Sequence, residues 1–291
     1  MRFILLSALI CMVCFGRAFG ANFFSVREPE DTYFFVSALK APDLSGKTTQ
    51  YHTIGTGLHM TGALKEIKNS WMYLVIGKNV LMEDDKFKFE RIRTEFYAHE
   101  LGSKGKVVRT LDMAMSIDLD HELIDKTMFY DENGLMIIRL GREDKKAKKW
   151  APVDNVELIR ITEGTKKERI RVLPRKAAIL FDEALLMHDI FTLEYPLYSD
   201  SLESMVKEHK HPLFKQGIIS GKDENRKLLI ADLRVRAENI GNPVFIIKTY
   251  GFEKKLKCLG IISRPGSQNF RYALVEPMDK VLDLINIAEG K

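Results

Sequence analysis

Ala41-Pro42-Asp43-Leu44-Ser45-Gly46-Lys47-Thr48 fits the spacing of a phosphate-binding loop if Ala41 stands for the first glycine. That chemistry needs a glycine-rich turn feeding a helix N-terminus, so that backbone N–H groups surround the phosphate. Here the interior is Pro-Asp-Leu-Ser and the following TTQYHTIGTG has an extended pattern, so a surface turn is the expectation. Histidines stand at 52, 59, 99, 121, 188, 209 and 211, none in the His-Glu-x-x-His pattern of a zinc helix. His209-Lys210-His211 is the tightest group, but on a helix residues two apart diverge, and Lys210 adds repulsion. Asp120-His121-Glu122 and His188-Asp189 could each orient an imidazole, yet no Gly-x-Ser-x-Gly elbow accompanies them. A triad assembled from distant residues stays open, because such sites are defined by geometry and not by order. The expectation is no catalytic residue, no cofactor, no metal site and a chain that is not an enzyme. The competing reading is a secreted hydrolase whose site the sequence does not disclose.

Cations are better organised. Residues 142–176 carry 12 Lys+Arg against 6 Asp+Glu. Arg169 and Arg171 alternate with Ile170 and Val172, Lys86 and Lys88 with Phe87 and Phe89, and Arg234 and Arg236 with Leu233 and Val235. On a strand this alternation puts charge on one face and apolar groups on the other. Such a face serves either as an ordinary solvated edge or as a surface for an anionic partner. The candidate face comprises Arg142, Lys145, Lys146, Lys148, Lys149, Lys166, Lys167, Arg169, Arg171, Arg175 and Lys176. Its expected partner is a protein or an anionic membrane surface in an extracellular or host-cell compartment. The net charge of +5 is modest and no recognition motif is present, which argues against nucleic acid.

The first 20 residues, MRFILLSALICMVCFGRAFG, read as a cleaved secretory signal. Arg2 is the positive end, Phe3 to Phe15 the apolar run, and Ala18 and Gly20 the small residues that a peptidase requires. Cleavage near Gly20 takes two of the five excess positive charges, leaving +3, and removes Cys11 and Cys14. Cys258 then stands alone, and residues 21–291 contain no Asn-x-Ser/Thr sequon. A disulfide framework is excluded, and KLKCLGII suggests a buried, inert thiol. The 291 residues, 45% hydrophobic and 29% charged, suffice for packed cores and exclude a disordered tail or a multi-span membrane protein.

Strand patterns supply the scaffold. In Leu111-Asp112-Met113-Ala114-Met115-Ser116-Ile117-Asp118-Leu119 one face is wholly apolar. Asp131-Glu132-Asn133-Gly134 between Met128–Tyr130 and Leu135–Leu140 signals a hairpin. Trp71–Ile76 and Val80–Met82 flank a Gly-Lys-Asn turn, and Val156–Thr162 and Glu168–Leu173 flank a turn at Gly164. Further strands are expected over 190–195, 228–236, 244–250, 256–263 and 271–276. Helices are expected from Ser201 to Lys210 behind an Asp200/Glu203 capping box, and from Asp279 with Val281, Leu282, Leu284 and Ile285 on one face, with shorter stretches at 62–69 and 181–188. The fold class is α+β, predominantly β: tandem small antiparallel β-rich modules with a C-terminal amphipathic helix. Residues 156–174 can be laid on 244–265 as an internal repeat. The division is a signal over 1–20, an N-terminal β-rich module over 21–103, a basic β-rich module over 104–176 and a C-terminal α+β module over 177–291.

A short signal, one mature cysteine, no sequons and tandem Lys-rich β modules resemble the secreted proteins of piroplasm parasites. These are the spherical body proteins and their FAINT-repeat relatives, and the likeness covers about residues 60–265. The resemblance implies release into the infected red cell, with association at its membrane or cytoskeleton. The signal, the basic faces and the absence of motifs point by themselves to a secreted, non-enzymatic interaction protein, for which an acidic host protein is a further candidate partner. A reducing host cytoplasm would suit the lone Cys258.

Overall fold

A computed structural model describes residues 31–42, 51–63, 70–102, 106–132, 134–144, 149–161, 168–195, 212–235, 239–250, 253–265 and 272–290. The expected signal, the Ser201–Lys210 helix and most of the Ala41–Thr48 loop lie outside these residues. From Tyr33 onward the chain forms one unit; residues up to Thr32 belong to another. The described residues are mostly strand, as the patterns predict, with a C-terminal helix. None of their helices is long and apolar enough to cross a membrane.

The first part is an 11-stranded sheet. Its strands are β1 (Val36–Pro42), β2 (Tyr51–Thr61), β3 (Trp71–Gly77), then, past the small β4–β5 ribbon (Met82–Glu83, Lys86–Phe87), β6 (Arg91–Leu101), β7 (Val107–Asp118), β8 (Met128–Tyr130), β9 (Leu135–Asp144), β10 (Lys149–Pro152), β11 (Val156–Arg160), β12 (Glu168–Ile170) and β13 (Leu173–Pro174). The main path runs β10-β9-β3-β2-β1-β6-β7-β11. The strands from β1 to β13 thus share one sheet, the β4–β5 ribbon apart, and the 103/104 division falls between β6 and β7, which pair antiparallel within it. The second part is a closed barrel, β14-β15-β16-β19-β18-β17, made of β14 (Asp189–Glu194), β15 (Leu213–Asp223), β16 (Leu228–Asp232), β17 (Pro243–Tyr250), β18 (Glu253–Pro265) and β19 (Tyr272–Pro277). Short helices α1 (Lys78–Leu81) and α2 (Ile124–Thr127) interrupt the sheet region, and α3 (Met278–Glu289) follows the barrel.

Three cores explain the patterning. Met72, Leu74 and Ile76 of β3 and Met136, Ile138 and Leu140 of β9 enter one core on one side of the sheet, with Leu111, Met113, Met115 and Ile117 of β7. Tyr73, Val75, Leu135 and Ile137 enter a second core on the other side, shared with Leu193, Phe245, Cys258 and Ile261 of the barrel and Val281, Leu282, Leu284 and Ile285 of α3. β3 and β9 therefore read as continuous apolar runs because both of their faces are buried. The third core fills the barrel. Cys258 is fully buried, and burial pushes its thiol up to about 12, so it stays protonated and inert.

Two local expectations are corrected. Gly77-Lys78-Asn79 is not a hairpin turn: β3 pairs with β2 and β9, and α1 follows it directly. Nor do β11 and β12 form a hairpin. β11 pairs with β7, while β12 pairs with β6 at Ala98–Glu100, an edge that β1, pairing only over Arg93–Glu95, leaves open. By contrast β17 and β18 do form a hairpin, so the two segments proposed as repeats differ in pairing.

Helix α3 is tied at both ends. The Phe181 N–H donates to Asp279 Oδ2 at 2.7 Å, and Arg175 Nη1 donates to Asn286 Oδ1 at 2.8 Å. Asp279→Ala leaves that N–H without its charged acceptor, and a loss of about 2 kcal/mol of stability is expected in urea unfolding.

Candidate functional site

Five of the eleven cations proposed as one face have described side chains, and four of these are arginines. Arg142, on β9, lies over the Trp71 ring at 4.9 Å, with Arg139 over the same ring at 4.7 Å. Arg169 is exposed on β12. Arg171 lies over the Phe35 ring at 5.1 Å and Phe34 at 5.8 Å, and Arg175 holds α3 through Asn286. These guanidiniums over aromatic faces act in packing as well as in charge. Lys145, Lys146, Lys148, Lys166 and Lys167 lie outside the described residues, as does the side chain of Lys149.

Lys176 instead belongs to a cluster that the sequence reading missed. Lys248 of β17 and Lys255 of β18 are direct cross-strand partners. Lys257 lies two residues along β18, on the same face as Lys255, and its Nζ donates to the carbonyl of Lys176. That contact follows from the course of the chain: Ala178 bridges to Cys258, and the Ile179 N–H donates to the Cys258 carbonyl at 2.8 Å. Lys257 is half-buried. Burial pulls its ammonium below the ordinary lysine value; Glu183 opposes this, and Lys248, Lys255 and Lys176 add to it. The alternation of Lys255 and Lys257 with Leu256 and Cys258 was the available signal. The other two lysines come from elsewhere in the chain, and only the fold brings them in.

A second region of interest is the seam between sheet and barrel. A Cβ on Gly77 would meet Ile240 Cγ2 at 3.0 Å and the Gly241 nitrogen at 3.1 Å. Beside it the buried Asn239 accepts from Lys215 Nζ at 3.1 Å and donates to Glu194, which also pairs with Lys215 at 2.7 Å. Asn242 is buried, and neither its Nδ2 nor its Oδ1 has a hydrogen-bond partner. The Tyr195 N–H crosses the seam to Thr56 Oγ1 at 3.0 Å.

Among the described residues, His59, His99 and His121 have separate settings. His59 is fully buried against the Phe96 ring, His99 lies against Phe34, and His121 Nδ1 accepts from the Leu123 N–H at 3.1 Å. His209 and His211 lie outside the described residues. Among the described residues no group of three or more His, Cys, Asp or Glu could hold a metal ion.

No protein-family description matches the chain, and no curated protein does. Solved structures do. A serine endoprotease from Yersinia pestis has 14% identity and a TM-score of 0.41, covering 89% of this chain; this chain spans only 64% of that one. Catalytically active tobacco etch virus protease has 9% identity and a TM-score of 0.41, with 89% and 79% of the two chains covered. The scabies mite inactivated protease paralogue S-I1 has 11% identity and a TM-score of 0.44, with 88% and 95% covered. The expectation that the chain is not an enzyme is withdrawn: structures named as proteases stand among its likenesses, and the lack of a sequence motif excludes no such class. At these TM-scores the likenesses assign no activity and no residue to this chain.

Proposed function

We propose that this is a secreted protein that engages an anionic partner through the lysine face of the β17–β18 hairpin. The observation that carries the reading is the direct pairing of Lys248 with Lys255, beside the partly desolvated Lys257 and the exposed Lys176. Like charges directly opposite on a sheet are destabilising, and a half-buried ammonium among them more so. An anion bound there meets the ammonium groups of Lys248, Lys255 and Lys257 together. The piroplasm resemblance would place that partner in a host cell.

The test is salt elution from a carboxylated anionic matrix. The Lys255→Glu/Lys257→Glu variant is expected to elute at clearly lower salt than the parent protein, and Arg142→Glu/Arg169→Glu to shift far less. Equal elution of the parent and the lysine variant would overturn the assignment.

Asn242 supports a second reading, a hydrolase acting at the seam. A buried amide with an unused donor is the kind of fixed dipole that stabilises a developing oxyanion. Incubation with a randomised peptide pool, read by mass spectrometry, should then yield cleavage products that Asn242→Ala lacks; identical product profiles refute it.

A further inference from the structure

The segment that carries Lys176 continues into an unusual surface. Ile179, Phe181 and Ala184 pack into the barrel core. Leu185, Leu186 and Met187 are 56%, 55% and 72% exposed, and Leu180 is exposed as well. Met187 holds φ at +62°, a conformation that non-glycine residues rarely adopt, and its N–H is fixed to the Ile219 carbonyl at 2.8 Å. The three apolar side chains are therefore presented by an anchored turn.

Lysines stand against the segment that leads into this turn. Lys222 and Lys227 place their Nζ atoms 4.3 Å and 4.7 Å from the Phe181 ring centroid. Glu183, of the same segment, lies within electrostatic range of Lys257, with Lys176, Lys248 and Lys255 around it. Local acids offset part of this charge: Asp182, Glu183 and Asp189 are exposed in the segment, Asp279 accepts the Phe181 N–H, Asp223 pairs with Arg226 at 3.9 Å and Glu224 with Lys227 at 3.2 Å. With Arg226, seven cations stand against these six acids.

We propose that Leu185, Leu186 and Met187 insert into the headgroup boundary of an anionic bilayer while these lysines hold the surface. This rests on the anionic-partner reading above and names its partner. Three consecutive exposed apolar residues favour an apolar boundary, and the lysines favour anionic over zwitterionic lipid. A soluble acidic polypeptide would satisfy the lysines but leave the Leu-Leu-Met tip in water.

The experiment is co-sedimentation of the mature protein with phosphatidylcholine vesicles, with and without phosphatidylserine. Binding is expected only with phosphatidylserine. Lys255→Glu/Lys257→Glu should weaken it more than tenfold, at roughly fivefold or more per lysine. Leu185→Ser/Leu186→Ser/Met187→Ser alters only exposed side chains and should also weaken it at least tenfold, with an unchanged thermal unfolding midpoint. Vesicle binding that survives the tip substitution would overturn insertion. No vesicle binding, with salt-sensitive retention on the anionic matrix intact, would overturn the bilayer as partner while leaving the anionic-partner reading standing. Loss of both would remove both.

Discussion

Lowering the pH from about 7 to about 4 should remove on the order of 3 kcal/mol of folding stability through His59 alone. His59 is fully buried on β2, its ring set edge-on to Phe96, and neither ring nitrogen has a hydrogen-bond partner. Burial pushes its pKa down from 6.5 to about 4, and no nearby charge contributes. The native ring therefore stays neutral where the unfolded chain already binds a proton. Stability is fully present above 6.5 and is lost as the pH falls from 6.5 to about 4. At about 1.4 kcal/mol per pH unit, that gap gives the stated loss. Urea unfolding across this range should show His59→Leu losing less stability than the parent by this amount, with shared carboxylate titration contributing equally to both. His59→Leu should also be no less stable at neutral pH, since it removes two unpartnered polar atoms. Parallel pH profiles for the two proteins would show that the buried ring does not titrate as described.

Much of the scaffold was legible because burial writes itself into alternation. The β7 register follows from Leu111, Met113, Met115 and Ile117, all fully buried. The β8–β9 hairpin follows from Asp131, whose Oδ1 accepts the Leu135 N–H at 2.8 Å, and from Gly134 at φ +98°. β15 was invisible because Ile219 is its only fully buried position, so no period of two emerges along Leu213–Asp223. Pairing partners were harder still. β12 looks like the return arm of β11, but the open edge of β6 takes it, and that edge exists only because β1 is short there. The candidate site suffered in the same way. Charge density along the sequence pointed to 142–176, whereas the cluster in space draws one lysine from that stretch and three from a hairpin about 70 residues later.

The seam gives the second large effect. Gly241→Ala is expected to lower stability by on the order of 3 kcal/mol, and Gly134→Ala by only about 1 kcal/mol. Both glycines have positive φ, +91° and +98°, so the backbone term that an L side chain incurs is shared. Their surroundings differ. A Cβ at Gly134 meets nothing within 4 Å, whereas one at Gly241 would stand 2.8 Å from the Gly77 backbone nitrogen. That nitrogen belongs to the last residue of β3, whose neighbour Lys78 donates its N–H to the Gly134 carbonyl at 2.7 Å, so it cannot move freely. The Gly241 N–H is itself bonded to the Ile262 carbonyl at 2.7 Å, which fixes the barrel side. Neither wall yields without breaking a backbone hydrogen bond, and the difference between the two variants isolates the contact from the conformational term. Equal losses for both variants, measured by urea unfolding, would mean that sheet and barrel do not meet at these two backbones. A larger loss at Gly241 that Gly77→Ala reproduces would identify their close approach as the point that sets the spacing of the seam, and with it the placement of Asn239 and Asn242.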